Sequence, residues 1–184
     1  MQSSGFTVIA ERINQLRFYS HFRAIHRGAF FMEMRTTDVR KLRPEAWGFI
    51  CPIHTPDVAP CGLLNHLTAA CEVMTKDGEE GPVIRVLEGA GLMPLDQMDR
   101  CRSVSAAKDY MVYLNGRILG WLTAEGASKS ERRLRSAKVA GTVYEYLEVA
   151  LVKRPAVKGA KGQFPGLYLF TGAGRMMRPV RNMQ

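Results

Sequence analysis

The stretch Tyr110–Leu122, YMVYLNGRILGWL, decides the fold class. Two apolar runs flank Asn115 and Gly116. Such a pair marks a two-residue hairpin, because both central positions of a type I′ turn need a positive φ. A hairpin is therefore predicted over 110–122. Downstream, SKSE at 128–131 reads as a capping box that opens a helix to about Ala140, with Gly141 as its stop. That helix carries Arg132, Arg133, Arg135 and Lys138, too basic all round for a deep core position. Residues 143–152 alternate as a strand does, 153–163 form a Lys/Gly/Pro loop, and 167–171 are a last strand before residues 172–179 turn away into a basic tail.

Upstream of the hairpin, PVIRVL at 82–87 reads as a strand. The polar run KDGEEGP at 76–82 reads as a turn, so Glu79 and Glu80 are solvated loop residues rather than an acid–base pair. Residues 8–25 lack Gly and Pro, and Ile9, Ile13 and Leu16 recur at helical spacing, which predicts a helix. If it continues far enough, Tyr19, Arg23 and Arg27 share one face. GAFFMEMRTT at 28–37 suits a hairpin-like loop or short strand. Between 47 and 67, Pro52, Pro56, Pro60 and Gly62 forbid regular helix or central strand, so the backbone must follow a specific irregular path. The class is α+β, helical first and strand-rich after roughly residue 78.

The 184 residues carry a formal net charge of +9, and 46% are apolar, enough for an ordinary globular core. Residues 1–62 hold 8 basic and 5 acidic side chains, 63–128 hold 6 and 9, and 129–184 hold 12 and 3. Basic ends around a slightly acidic middle imply localised attraction to polyanions, or a merely soluble basic surface. No run approaches the ~18 apolar residues of a membrane span, and the first residues lack the pattern of a secretory leader.

Four cysteines, Cys51, Cys61, Cys71 and Cys101, are too sparse for a disulfide framework and read as thiols. Cys51 with His54 and Cys61 with His66 supply a zinc-like inventory, but the prolines among them and the spacing favour packed thiols and hydrogen-bonded histidines. No nucleophile elbow or phosphate loop is present.

The motifs SHFR (20–23), RKL (40–42), WGFICP (47–52), TPD (55–57) and CGLLN (61–65), with FTGAGRMMRP (170–179), resemble the fork region of the second-largest subunit of multisubunit DNA-directed RNA polymerases. Residues 26–31, 54–57 and 164–170 look most like the polymerase I type, with the polymerase II or III equivalents as alternatives. The resemblance covers nearly the whole chain. It implies a fork over 8–78, an external domain over 79–170, and a tail over 171–184 leading toward a hybrid-binding domain. It also implies an internal piece that alone polymerises nothing. Catalytic Mg2+ would be held by the largest subunit, and Zn2+ would sit elsewhere in the full subunit. The implied partners are the largest and other polymerase I subunits, DNA, the RNA–DNA hybrid and nucleoside triphosphates. The implied place is the nucleus and nucleolus, in ribosomal RNA synthesis.

By the same resemblance, Arg23, Arg27, Arg35, Arg40 and Lys41 lie beside nucleic acid or nucleotide, where they would meet phosphates without reading bases. Arg40 is the leading candidate. Asp57 and Asn65 would brace the same wall through hydrogen bonds. One departure stands out: where the family pattern has Gly, this chain has Val58, which would be strained if the position needs a positive φ. The rival readings are a stand-alone nucleic-acid-binding module, with residues 129–140 and the tail as its surface, and a small zinc protein.

Overall fold

Asn14 opens the first helix. Its backbone is extended and its side-chain oxygen accepts the Arg17 N–H at 2.7 Å, capping α1 (Gln15–Phe22). The expected helix over 8–25 is thus confined to its middle: residues 7–13 precede the cap, and the chain leaves at Arg23 to form β1 (Ala24–His26). Arg27 therefore does not share a helix face with Tyr19 and Arg23.

The computed structural model describes residues 7–97, 108–155 and 163–180, so Cys101 and much of the loop 153–163 and of the tail lie outside the described residues. The chain forms two units, residues 1–73 with 176–184, and residues 74–175.

In the first unit, β1 pairs antiparallel with β2 (Leu64–His66), placing Ile25 opposite Asn65. A second ladder joins β3 (Glu72–Val73) to β9 (Met176–Met177), so the expected tail returns to pair with this unit. Between β1 and β2 the chain runs through single 3₁₀ turns, at Ala29–Met32, Asp38–Arg40 and Pro44–Ala46. The first replaces the hairpin or strand expected over 28–37. Residues 51–63 are irregular as expected, and the regular strand β2 takes over where the prolines end.

In the second unit the 82–87 run is a helix, α2 (Gly81–Glu88), not a strand. Six apolar-rich residues fit either period. Pro82 suits the first helical turn, where no N–H is needed, and Val83 and Leu87, four apart, are both fully buried. Each contributes roughly 1.5–3 kcal/mol of burial.

The hairpin forms as read, with β5 (Tyr110–Leu114) and β6 (Arg117–Leu122) joined at Asn115 and Gly116, whose φ values are 51° and 84°. The sheet is completed by β4 (Met93–Pro94), β7 (Glu148–Val152) and β8 (Gly166–Phe170) in the order β4-β6-β5-β8-β7, with β5 and β8 parallel. β7 begins five residues later than the predicted strand, because the chain turns at 144–147 while still burying Val143 and Leu147.

Helix α3 (Ala124–Val139) starts four residues before the expected box. Thr123 caps it by accepting the Gly126 N–H at 3.0 Å, while the Ser128 hydroxyl turns inward to the Ala124 carbonyl. It is not basic all round: Gly126, Ala127, Ser130 and Leu134 form a buried stripe, small enough for close approach to α2, β6 and β7. The cations take the other side. No helix among the described residues is long and apolar enough to cross a membrane.

Candidate nucleic-acid interface

A cleft of about 470 Å³ opens in the first unit. Ile25 comes from β1 and Asn65 from β2; Arg27 follows β1, Lys41, Leu42 and Arg43 lie between two 3₁₀ turns, and Gly62 and Leu63 close the Pro-rich loop. Ala46 and Ile50 complete the lining. Gly62 is required here: its φ is 74°, and an added Cβ would lie 2.3 Å from the Arg40 carbonyl oxygen. Three cations face the cleft and no carboxylate lines it, while aliphatic side chains form much of the wall and sharpen the positive field.

The expected residues divide by what their side chains touch. Arg27 donates to the Val39 carbonyl and lies 4.8 Å over the Phe31 ring, at the rim of the cleft. Lys41 pairs with Asp38 at 2.8 Å, but both are mostly exposed, so the pair is worth a fraction of a kcal/mol and leaves the lysine available. Asn65 donates to the Gly62 carbonyl at 3.1 Å.

Arg23 and Arg40 are turned to carbonyl oxygens of this unit. Arg23 donates to Thr68 at 2.6 Å and Cys71 at 2.9 Å. Arg40 donates to Ala59 at 2.6 Å, Cys61 at 3.0 Å and Met32 at 3.5 Å, clasping the Pro-rich loop. Arg35 and Asp57 are exposed and do not line the cleft. Arg43 does, although it was absent from the expected set; its signal was its place in the same run of cations at 40–43.

The loop clasped by Arg40 carries its strain at the tip. Val58 has a φ of 63° and is 89% exposed, the left-handed conformation that a β-branched residue resists and that glycine accepts. The departure from the family pattern thus falls on a residue whose backbone calls for glycine. Thr55 ties the loop's ends together, its hydroxyl donating to the Leu64 carbonyl at 2.9 Å and accepting the Gly62 N–H at 2.8 Å.

Beside it, the His54 and His66 rings stack at 3.6 Å, within 5° of parallel. Arg17 meets His54 Nε2 at 3.3 Å, and His66 Nδ1 lies 3.3 Å from the His54 carbonyl oxygen. Burial holds the His66 imidazole below its ordinary pKa; the neighbouring His54, Arg17 and His21 push the same way, against the opposing bond to the His54 carbonyl. Burial raises the Cys71 thiol, with Arg23 opposing, which makes it a poor nucleophile. Among the described residues no three His, Cys, Asp or Glu side chains converge to hold a metal ion.

Residues 8–73 match the family described as RNA polymerase Rpb2, domain 3, and residues 119–178 match the RNA polymerase I, Rpa2 specific domain. The chain is 55% identical over 189 aligned positions to the DNA-directed RNA polymerase I subunit RPA2 homolog of Caenorhabditis elegans, covering 99% of this chain and 16% of that protein. It is 47% identical to the Drosophila melanogaster subunit RPA2 and 43% identical to the human one, each over 100% of this chain and 16% of the relative. The chain belongs to the RNA polymerase I second-largest-subunit family. It spans about one sixth of these relatives' length. The first family match lies within the first unit, which holds the cleft, and the polymerase I-specific match covers α3 and the strands around it.

Proposed function

We propose that the chain works as a segment of the second-largest subunit of RNA polymerase I, and that its first unit guides nucleic acid during ribosomal RNA synthesis in the nucleolus. The observation that carries the reading is identity along the whole chain to polymerase I subunits of worm, fly and human. The cleft supports the nucleic-acid part, because three cations in a lining without a carboxylate suit phosphate oxygens, Lys41 alone being paired, with the exposed Asp38. Exposed apolar side chains such as Leu16, Phe30 and Trp47 favour a segment of a larger assembly over a stand-alone module.

In this reading nucleotidyl transfer takes place elsewhere in the complex, with Mg2+ on the largest subunit supplying stabilisation of the in-line displacement. The chain's contribution is positional. Arg27, Lys41 and Arg43 hold phosphates of downstream DNA or the RNA–DNA hybrid as point contacts, and Arg35 offers a further exposed cation. Arg23 and Arg40 keep the wall in shape, with Asn65 bracing it and Asp57 on the exposed loop beside it. Partners are the largest and other polymerase I subunits, DNA, the hybrid and nucleoside triphosphates.

The test is the double substitution Arg27→Ala, Arg43→Ala in assembled polymerase I. Subunit stoichiometry should be unchanged, elongation should slow, and the slope of log affinity against log salt should flatten by roughly 0.9 per lost phosphate contact. An unaltered slope and rate would remove the cleft from the nucleic-acid path. Nanomolar binding of DNA by the 184-residue chain in physiological salt would instead favour a stand-alone module.

A further inference from the structure

The largest concentration of positive charge lies far along the chain from the cleft, in residues 129–184, which hold 12 basic and 3 acidic side chains. Helix α3 sorts part of that charge onto one side. Its buried stripe of Gly126, Ala127, Ser130 and Leu134 faces the second unit's core, and Lys129, Arg132 and Arg133 are exposed on other faces within little more than one turn.

The intramolecular demands on these cations are small. Lys129 has no hydrogen bond or ion pair among the described residues, and Arg132 has only a long 3.4 Å contact to the Ser128 carbonyl of its own helix. Arg133 donates one nitrogen to the Gly89 carbonyl at 2.9 Å. The carboxylate within this part of the helix, Glu131, is taken by Arg135 at 3.1 Å, and Glu125, one turn before Lys129, makes no ion pair among the described residues. Arg135 is also bonded to the Val149 carbonyl, so it belongs to the fold rather than to the free side.

Two turns beyond Arg132 on the same side stands Val139, 90% exposed. A single exposed aliphatic side chain is ordinary on a surface; placed at the end of a cationic row, this one lies where a ligand that reaches the cations can also cover it.

We propose that this side of α3 is a docking surface for an acidic segment of another polypeptide, whose carboxylates pair with Lys129, Arg132 and Arg133 and whose aliphatic side chain covers Val139. Charge complementarity identifies the sign of the partner, and the geometry chooses a polypeptide over nucleic acid. From Lys129 to Arg133 the helix rises about 6 Å, enough for about two phosphates of one strand, which yields little counterion release. No aromatic ring of α3 lies beside the cations to stack a base, and Val139 would waste its apolar surface against a phosphate backbone. From Lys129 to Val139 the rise is about 15 Å, the length of a ten-residue helical segment. The surface falls within the polymerase I-specific match and belongs to the second unit, whereas the cleft belongs to the first.

The test uses the 184-residue chain at about 0.15 M salt with three labelled probes. These are a peptide with glutamates in one half and leucines in the other, the same peptide with glutamine for glutamate, and a duplex DNA. The glutamate peptide should bind, and the glutamine peptide should not. Lys129→Glu with Arg132→Glu should weaken the glutamate peptide by about tenfold or more. Val139→Ser should weaken it about threefold and leave any DNA binding unchanged. All three positions are exposed, so a thermal melt should show the variants folded. Equal binding of the two peptides, or DNA bound more tightly than the glutamate peptide and lost in the double variant, overturns the proposal.

Discussion

The two units reach a defined shape by different means. In the first, among the described residues, only Leu63 and Cys71 are buried apolar side chains, with His66 beside them. The path is set instead by side chains bonded to backbone carbonyls, Arg23 to Thr68 and Cys71, Arg40 to Ala59 and Cys61, and Thr68 to Gly48. In the second, Val112, Leu114, Leu122, Leu134, Leu147, Leu167 and Leu169 are enclosed between sheet and helices. A buried leucine contributes several times what one hydrogen bond does net, so the second unit holds itself together by volume and the first by geometry. On the proposed function, a surface that meets other molecules gains from that arrangement, since apolar side chains such as Leu16, Phe30 and Trp47 stay outward.

The largest effect expected from this contrast is in the second unit. Leu134→Ala, at a side chain with 0% exposure, should cost about 3 kcal/mol in chemical denaturation, while Leu16→Ala, at 81% exposure, should change stability by less than about 0.5 kcal/mol. Equal costs would erase the distinction between the units. Next is Arg40→Ala, which frees the carbonyls of Ala59, Cys61 and Met32 to water. A loss of about 1–2 kcal/mol is expected, read as faster amide exchange across 51–63 with the sheet of the second unit unaffected. Arg40→Lys should not restore protection, because one ammonium cannot span those acceptors.

Smaller, and of opposite sign, is Val58→Gly. Relief of the left-handed strain, offset by glycine's extra chain entropy, should raise stability by up to about 1 kcal/mol in a denaturation midpoint. A destabilised variant would mean that the tip is not strained. The least effect is with pH. Because the folded His66 imidazole binds its proton less readily than the unfolded one, its contribution is fully present above the ordinary histidine pKa of about 6.5 and is lost as pH falls below it. Exchange in the first unit, corrected for intrinsic rates, should therefore quicken on acidification, and His66→Gln should flatten that response.

Much of this was legible in local patterns. Asn115-Gly116 marked the hairpin, the motifs from Ser20 to Asn65 marked the family, and the substitution of Val58 for glycine marked the left-handed residue. The cleft was legible in part, since Arg27, Lys41 and Asn65 line it while Arg35 and Asp57 do not. Arg43 was hidden because nothing in a cluster of cations says which one a fold turns inward.

By itself the sequence determined the α+β class, the hairpin turn, the uneven charge and the membership in a polymerase subunit family, all of which rest on short-range residue types and spacing. Only the tertiary structure decided that 82–87 is helix, where α1 and α3 begin, and that Arg23 and Arg40 grip carbonyls. Six apolar-rich residues satisfy two periods until a neighbour buries one face. An arginine's role is settled by acceptors most of which are brought to it across 19 to 48 residues of chain, a distance over which local pattern carries no information.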